Sequence, residues 1–433
     1  MNLVPFMEQW DMLPPPGGTI LVAVSGGRDS MCLLHYLCEL GKEKRFQVAA
    51  GHLNHGMRPT ADSDEAFVRD FCRELGVPFY SRKIPVYEMA HTWKLTVEEA
   101  GRRARYAFLE ETANAIGADR IATAHHLNDQ SETVLLHLLR GTGSRGLGGI
   151  PPVRGRYIRP LLGTPREELE AYNARHGIDH VEDSTNGDVH YGRNRLRLSV
   201  WAELEKIHPA ARENIARCAD IAREESDFLD DLAVRDLPPE GTQVACADLL
   251  QAPPVLQRRM VRLLLDRLAT GKKDVTAGHI EAILHLAQNG GMIHLPAGVI
   301  AVCREGTLCL KTEEKARPEQ MLTYGVNHWG GWQIVVSREK LRDDDIALRY
   351  GGEPLSVRCW CPEDRLQLPG SRGSRSLKRL FIDHGIPPEQ RESLPVICAG
   401  GAVAYVQGIG RSQSFLPEEA HHEIHITIHT GNG

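Results

Sequence analysis

The chain has 433 residues, 42% hydrophobic and 25% charged, a soluble globular composition too long for one typical core, so two or three domains are expected. A formal net charge of -6 excludes a global attraction to nucleic acid and leaves only local clusters to supply one. The N-terminal residues lack a basic, then apolar, leader pattern, no stretch is apolar over a bilayer's width, and ten cysteines show no scaffold spacing, so a cytoplasmic protein without a membrane span is expected.

The apolar run Ile20-Leu21-Val22-Ala23-Val24 reads as a buried strand. It leads into Ser25-Gly26-Gly27-Arg28-Asp29-Ser30, and Asp29 to Leu40 reads as an amphipathic helix. The two glycines let the backbone curl so that several N–H groups converge. The helix start adds free N–H groups and a positive dipole end, and Ser25 and Ser30 add hydroxyls. The expected ligand is a phosphate or pyrophosphate. No Gly-Lys-Ser/Thr ends the loop, so it is not a Walker A loop. An ordinary glycine turn accounts for a lone Gly-Gly but not for six such positions between strand and helix. The hexapeptide resembles the PP-loop of the ATP pyrophosphatases, which implies cleavage of ATP between its α and β phosphates and an adenylated intermediate.

Further strands are expected at Phe46 to His52, Pro78 to Lys83 and Arg120 to Ala124, with helices from about Ser63 to Leu75, Thr96 to Ile116 and Asn128 to Arg140. Thr96-Val97-Glu98-Glu99 is a capping box. The β-α repetition implies a parallel sheet with helices on both faces, with ligands at the C-terminal strand ends, where Ser25, His52, His125 and His126 fall. The glycine-rich residues 141–149 read as a mobile lid or a connector. Residues 192–232 read as helical with a break at His208-Pro209, and 237–241 as a linker. Helices follow at 256–265 and 279–286, then strands near Val299 and Leu308. From about Ala347 the chain reads as β-rich, with one helix near Leu377 to Asp383. In the alternating end, Ile424, Ile426 and Ile428 face inward, leaving His425 and His429 outside on an edge strand.

Three more constellations carry chemistry. Asp129 and Glu132 are i and i+3 at a helix start, a pair that suits Mg2+, an ammonium group or simple capping. His125 and His126 have no third zinc ligand at suitable spacing. Arg102 and Arg105 share a helical face and suit a phosphate, or a surface ion-pair lattice. Asp183-Ser184-Thr185-Asn186, followed by Tyr191 and alternating Arg193, Arg195 and Arg197, suits a phosphodiester backbone and a stacked base, or a basic helix start. Basic residues are in excess from Arg193 to Arg223, with seven Lys/Arg against four Asp/Glu, and from Arg358 to Arg379, with six against two.

With His52-Leu53-Asn54-His55-Gly56-Met57-Arg58, these motifs resemble the tRNA(Ile)-lysidine synthase family over nearly the whole chain. The resemblance reaches Leu256 to Met260 and, near the end, Leu377 to Asp383, Ile386-Pro387 and Arg391 to Val396. Where the family often has Asp-Asp-Gln this chain has Asn128-Asp129-Gln130, so catalysis is carried onto Asp129 only. Glu363-Asp364-Arg365 and Ser374 to Lys378 stand where Gly-Asp-Arg and a lysine-rich turn are common.

The resemblance implies an α/β parallel-sheet PP-loop domain, adenine nucleotide alpha hydrolase-like, at 1–215, a mainly helical tRNA domain at 216–315, and a β-rich tRNA-binding domain at 345–433. It implies ATP and Mg2+ as cofactors, free L-lysine and an isoleucine tRNA with a CAU anticodon as partners, and leaves a homodimer open. Ser25, Gly26, Gly27, Arg28, Asp29 and Ser30 would bind ATP. Asp29, Arg102, Arg105, Asp129 and Glu132 would be catalytic, with Asp129 the metal ligand. Asn186, Arg193, Asn194, Arg197, Arg375 and Lys378 would bind tRNA. The rival readings are a tRNA thiolase, a small-molecule PP-loop ligase and a non-catalytic RNA-binding protein. The first is disfavoured because no Cys-x-x-Cys exists.

Overall fold

The computed structural model describes the chain except residues 58–59, 182–194, 269–273, 313–316, 343–344, 418–422 and 431–433. Two compact units result, 1–239 with 252–260, and 240–251 with 261–433.

In the first unit, β1 (Thr19–Ala23), β2 (Gln47–Asn54), β3 (Phe79–Lys83), β4 (Arg120–Ala122), β5 (Val153–Arg154) and β6 (Tyr157–Ile158) form one sheet ordered β3-β2-β1-β4-β6-β5. All neighbours are parallel except the β5–β6 hairpin at the edge, which the sequence pattern did not reveal. Strand alternation divides β1 between two cores. Ile20 and Val22 join Met31, Leu33 and Leu34 of α2 (Arg28–Lys44), and Leu21 joins Phe108 and Leu109 of α5 (Val97–Ala115) on the other face. Each such fully buried aliphatic side chain contributes about 1.5–3 kcal/mol relative to exposure. The chain leaves β1 to one side for β2 and reaches β4 on the other, so the crevice lies beyond the C-terminal ends of β1 and β4.

The capping box forms at the start of α5, with Glu99 N–H donating to Thr96 Oγ1 at 3.2 Å and Thr96 N–H to Glu99 Oε2 at 3.1 Å. Helix α6 (Leu127–Leu139) is capped instead by His126, which shares a reciprocal box with Asp129. The helix Ala211–Arg235 runs through position 215, the expected end of the first domain.

The second unit holds two kinds of layer. Helices, among them Cys246–Gln251 and Ala277–Asn289, accompany a four-stranded antiparallel sheet of 243–245, 291–295, 299–304 and 307–312. Among the described residues three further antiparallel sheets, of five, four and two strands, fill the remainder, and strands 325–329 and 332–337 belong to the same sheet as 423–430, ahead of the expected start at 345. Helix Leu377–Asp383 forms where expected. Ile424 and Ile426 are buried as expected, whereas Ile428 is only half-buried and Thr427 is buried on its other side, because the strand is paired with 332–337 and 346–349 rather than lying at the expected edge.

Candidate active site

The loop after β1 is stapled by its own hydroxyls. Ser30 Oγ donates to the Gly27 carbonyl at 2.8 Å and accepts from Ser25 N–H at 3.1 Å. Ser25 Oγ stands 3.1 Å from Ser30 Oγ and accepts from Gly27 N–H at 3.3 Å. Gly26 has φ +87°, and a Cβ there would stand 3.2 Å from Val68, so the turn requires glycine. Among the described residues, no protein acceptor meets the N–H groups of Gly26, Arg28 and Asp29. These donors open the 17-residue helix α2, a cradle that fits a pyrophosphate. Arg28 turns aside, with Nη1 2.5 Å from Glu170.

Asp29 faces a buried cluster at the end of β4. His126 Nδ1 accepts from Asn128 N–H at 3.2 Å, which leaves the proton on Nε2. That nitrogen stands 3.6 Å from carboxylate oxygens of both Asp29 and Asp129. Burial raises the Asp29 pKa, but the hydrogen bond and charge of His126, helped by Arg28, bring it below the usual carboxylate value. Burial likewise lowers His126, but the Asp29 hydrogen bond and the charges of Asp129, Asp29 and Glu132 hold it above the usual histidine value.

Glu132 is 1% exposed, and both its oxygens are taken by Arg197, through Nε at 2.8 Å and Nη2 at 2.9 Å. Arg197 Nη2 also lies 3.4 Å from Asp129 Oδ1. Expected on tRNA, Arg197 thus sits against the two carboxylates, carried there by the π-helical turn Leu196–Val200. Asn186, Arg193 and Asn194 lie outside the described residues.

The two arginines of α5 diverge. Arg105 Nη2 donates to His55 Nε2 at 3.2 Å, beyond β2, and Gly101 leaves room for that imidazole. Burial, then Arg105 and His52, push the His55 pKa down to about 4. Arg102 stacks on Tyr106 at 5.3 Å and lines a separate cavity. Arg375 and Lys378 lie in the second unit. Arg375 is paired with Asp383 at 3.1 Å, and Lys378 is exposed.

Sequence reasoning missed the groups that pin the glycine-rich segment. Gln130 Nε2 donates to the Gly148 carbonyl at 3.1 Å, and its Oε1 accepts from Ile150 N–H at 2.6 Å. Arg223 donates to the carbonyls of Gly148 and Ile150. Arg259 ties Ser144 to Ser226 and Asp230. A Cβ on Gly149 would stand 2.5 Å from Gln130 Oε1, so the segment is an anchored connector, with a helical turn at Ser144–Leu147, rather than a lid. The available signal was Gln130 itself, an amide directly after a catalytic-type aspartate.

All ten cysteines are free thiols, and the Cys32 thiol near the loop is pushed up to about 12 by burial and then by Asp29. Among the described residues, no group of three His, Cys, Asp or Glu is spaced to hold a metal, and no helix is long and apolar enough to cross a membrane.

The parallel sheet and the stapled loop define an ATP-binding PP-loop domain, and residues 6–204 match that family. Residues 245–309 match the TilS substrate binding domain and 355–428 the TilS substrate C-terminal domain. A tRNA(Ile)-lysidine synthase of Geobacter sulfurreducens is 34% identical over 92% of this chain and 90% of its own. One of Symbiobacterium thermophilum is 34% identical over 93% and 92%. Among solved structures, a U34-tRNA thiolase from Methanococcus maripaludis aligns at a TM-score of 0.43 and 18% identity over 51% of this chain and 80% of its own, too loosely to carry an argument. The chain belongs to the tRNA(Ile)-lysidine synthase family and is a ligase.

Proposed function

We propose that the enzyme joins free L-lysine to C2 of the wobble cytidine of an isoleucine tRNA with a CAU anticodon, in the cytoplasm. The observation that carries this reading is the facing of the loop's unpaired N–H groups by the Asp29–His126–Asp129 cluster, in a family whose members are named for lysidine. Cytidine O2 attacks the α-phosphate of ATP, the bond to the β-phosphate breaks, and pyrophosphate leaves onto the loop. The free N–H groups there stabilise the charge that develops on it. Lysine's ε-amine then attacks C2 and AMP departs, giving lysidine and changing the codon read from that of Met to that of Ile.

Arg105 supplies positive charge toward the α-phosphate, whereas Arg102, expected to share that role, lies against Tyr106 at a separate cavity. Arg197 holds both oxygens of Glu132, and we assign lysine's ammonium and its departing proton to Asp129. Mg2+ typically takes one or two carboxylates with substrate phosphates and water, and Asp129 and Asp29 offer such hard oxygens without an all-protein cage. When bound, the ion supplies charge neutralisation on the phosphates. The basic residues Arg375 and Lys378, with Asn186, Arg193 and Asn194, serve tRNA.

The test is mass analysis of the tRNA after incubation with ATP and labelled lysine. One added lysyl group on the anticodon nucleotide supports the reading, and sulfur incorporation or an unchanged mass rejects it. Cys32→Ser should still transfer lysine, because a buried thiol of such high pKa is no nucleophile at neutral pH.

A further inference from the structure

His55 stands one residue past β2, beside the phosphate-binding loop, and its place is fixed from several sides. Asn54 Oδ1 accepts from Gly56 N–H at 2.9 Å, and the Asn54 carbonyl accepts from Ile84 N–H at 2.9 Å. Asn54 Nδ2 donates to the Ala61 carbonyl at 3.2 Å and to Asp62 Oδ1 at 3.0 Å. Three residues earlier, His52 Nδ1 lies 2.9 Å from the carbonyl of Val24, the residue before Ser25, so the end of β2 is joined to the start of the loop. On α5, a Cβ at Gly101 would stand 3.4 Å from both Nδ1 and Cε1 of His55, so the absence of a side chain there makes the slot that the ring fills. A strand end, a turn and a helix face together set the direction of the imidazole.

That direction presents one nitrogen to Arg105, whose Nη2 donates to His55 Nε2 at 3.2 Å. A guanidinium has donors only, so Nε2 offers its lone pair and the ring proton sits on Nδ1. Nδ1 is buried without a partner, an unfavourable state that the fold maintains while Nε2 serves as acceptor. Burial, then Arg105 and His52, hold the ring pKa at about 4, so it is uncharged at neutral pH. An arginine held by a carboxylate has its charge offset by that partner, as Arg28 has by Glu170 and Arg197 by Glu132. An arginine held by an uncharged imidazole keeps its full charge. Among the described residues, no carboxylate is paired with Arg105.

We propose that His55 is a positioning residue for the adenylation step, its Nε2 lone pair aiming the Arg105 guanidinium at the α-phosphate while leaving that cation unshared with any anion of the protein. This rests on the ligase reading above. As cytidine O2 attacks and the bond to the β-phosphate breaks, charge redistributes over the phosphate oxygens. A cation stabilises that change most when it is already in place and not neutralised by another anion. The N–H groups of the loop receive the leaving pyrophosphate, and Arg105, held at the neighbouring strand end, serves the phosphate that stays on the cytidine.

The test follows pyrophosphate release driven by tRNA and ATP, without lysine, in the full-length enzyme. His55→Leu removes the acceptor and should lower kcat by about 10–100-fold, the scale of a misaimed group, with the KM values for ATP and tRNA within about threefold. His55→Gln supplies an uncharged acceptor again and should recover most of that loss. His55→Glu holds the guanidinium at least as firmly but offsets its charge, so it should be about as slow as His55→Leu. In an Arg105→Met background, adding His55→Leu should have no further effect, because no guanidinium is left to aim. A side chain that only fills the slot beside Gly101 predicts otherwise: leucine is tolerated best, and whatever it costs is unchanged in Arg105→Met. Either result would overturn the positioning role while leaving the ligase reading intact, and so would a His55→Glu enzyme at the wild-type rate. His55→Gln and His55→Glu keep the comparison decisive should His55→Leu unfold. A wild type that releases no pyrophosphate with tRNA and ATP would overturn the ligase reading and the positioning role together.

Discussion

The cations of the α/β unit and those on the strand Arg375–Ser376 and the helix Leu377–Asp383 after it are managed in opposite ways. Arg159 is 3% exposed and faces a cavity that, among the described residues, no carboxylate lines. Arg375 and Arg379 have side chains 63% and 67% exposed and share a single acceptor, Asp383. By count alone the C-terminal cluster is the more basic segment. Burial against a backbone carbonyl and Tyr106, not number, sets Arg159 apart. Exposed, partly neutralised cations suit a diffuse phosphate surface, where affinity depends on salt and each contact is weak.

The largest effect should come from removing the centre of the first region. Asp29→Asn should slow tRNA-dependent AMP formation by about 10²–10³-fold, the scale of losing one charge-stabilising group at a reacting centre. Quenched-flow measurement of AMP checks this, and near-normal rates in a folded variant would put the chemistry elsewhere. Arg197→Ala leaves Glu132, 1% exposed, without its bidentate partner, and should cost about 2–3 kcal/mol in urea unfolding. Arg197→Ala combined with Glu132→Gln should recover much of that loss, which a double-mutant cycle would read.

In the second region the effects should be smaller and salt-dependent. Lys378→Ala should reduce the slope of log affinity for tRNA against log salt by about 1, whereas Arg375→Ala should reduce it less, because Asp383 already offsets that charge. Equal slopes in both variants and the wild type would remove this surface from tRNA binding.

The smallest expected effect is a pH dependence within the cluster. His126 has a folded pKa above its unfolded value, so its stabilisation is fully present below the unfolded value and is lost as pH rises through the folded one. His126→Gln should therefore lose more stability relative to wild type at pH 6 than at pH 9. Asp29 acts in the opposite direction, its contribution present above the unfolded carboxylate pKa and lost only as pH falls through its lower folded value. Denaturant midpoints at both pH values separate the two.

The strand–turn–helix at Ser25 to Ser30, the capping box at Thr96 and the β-α alternation were legible in the sequence, because each depends on neighbours within one turn or one strand. So was the pairing of Asp129 with Glu132 on one face. The partner of Glu132 was not legible, since Arg197 lies 65 residues away and reaches it through a π-helical turn that no periodicity marks. Nor could sequence show that Arg102 and Arg105, three apart on one helix, serve different places, one on Tyr106 and the other on His55. The burial of Arg159 is also a tertiary fact. Local chemistry specified which groups are present, but their protonation, pairing and desolvation depend on what long-range packing brings within a few ångströms, and only the folded chain decides that.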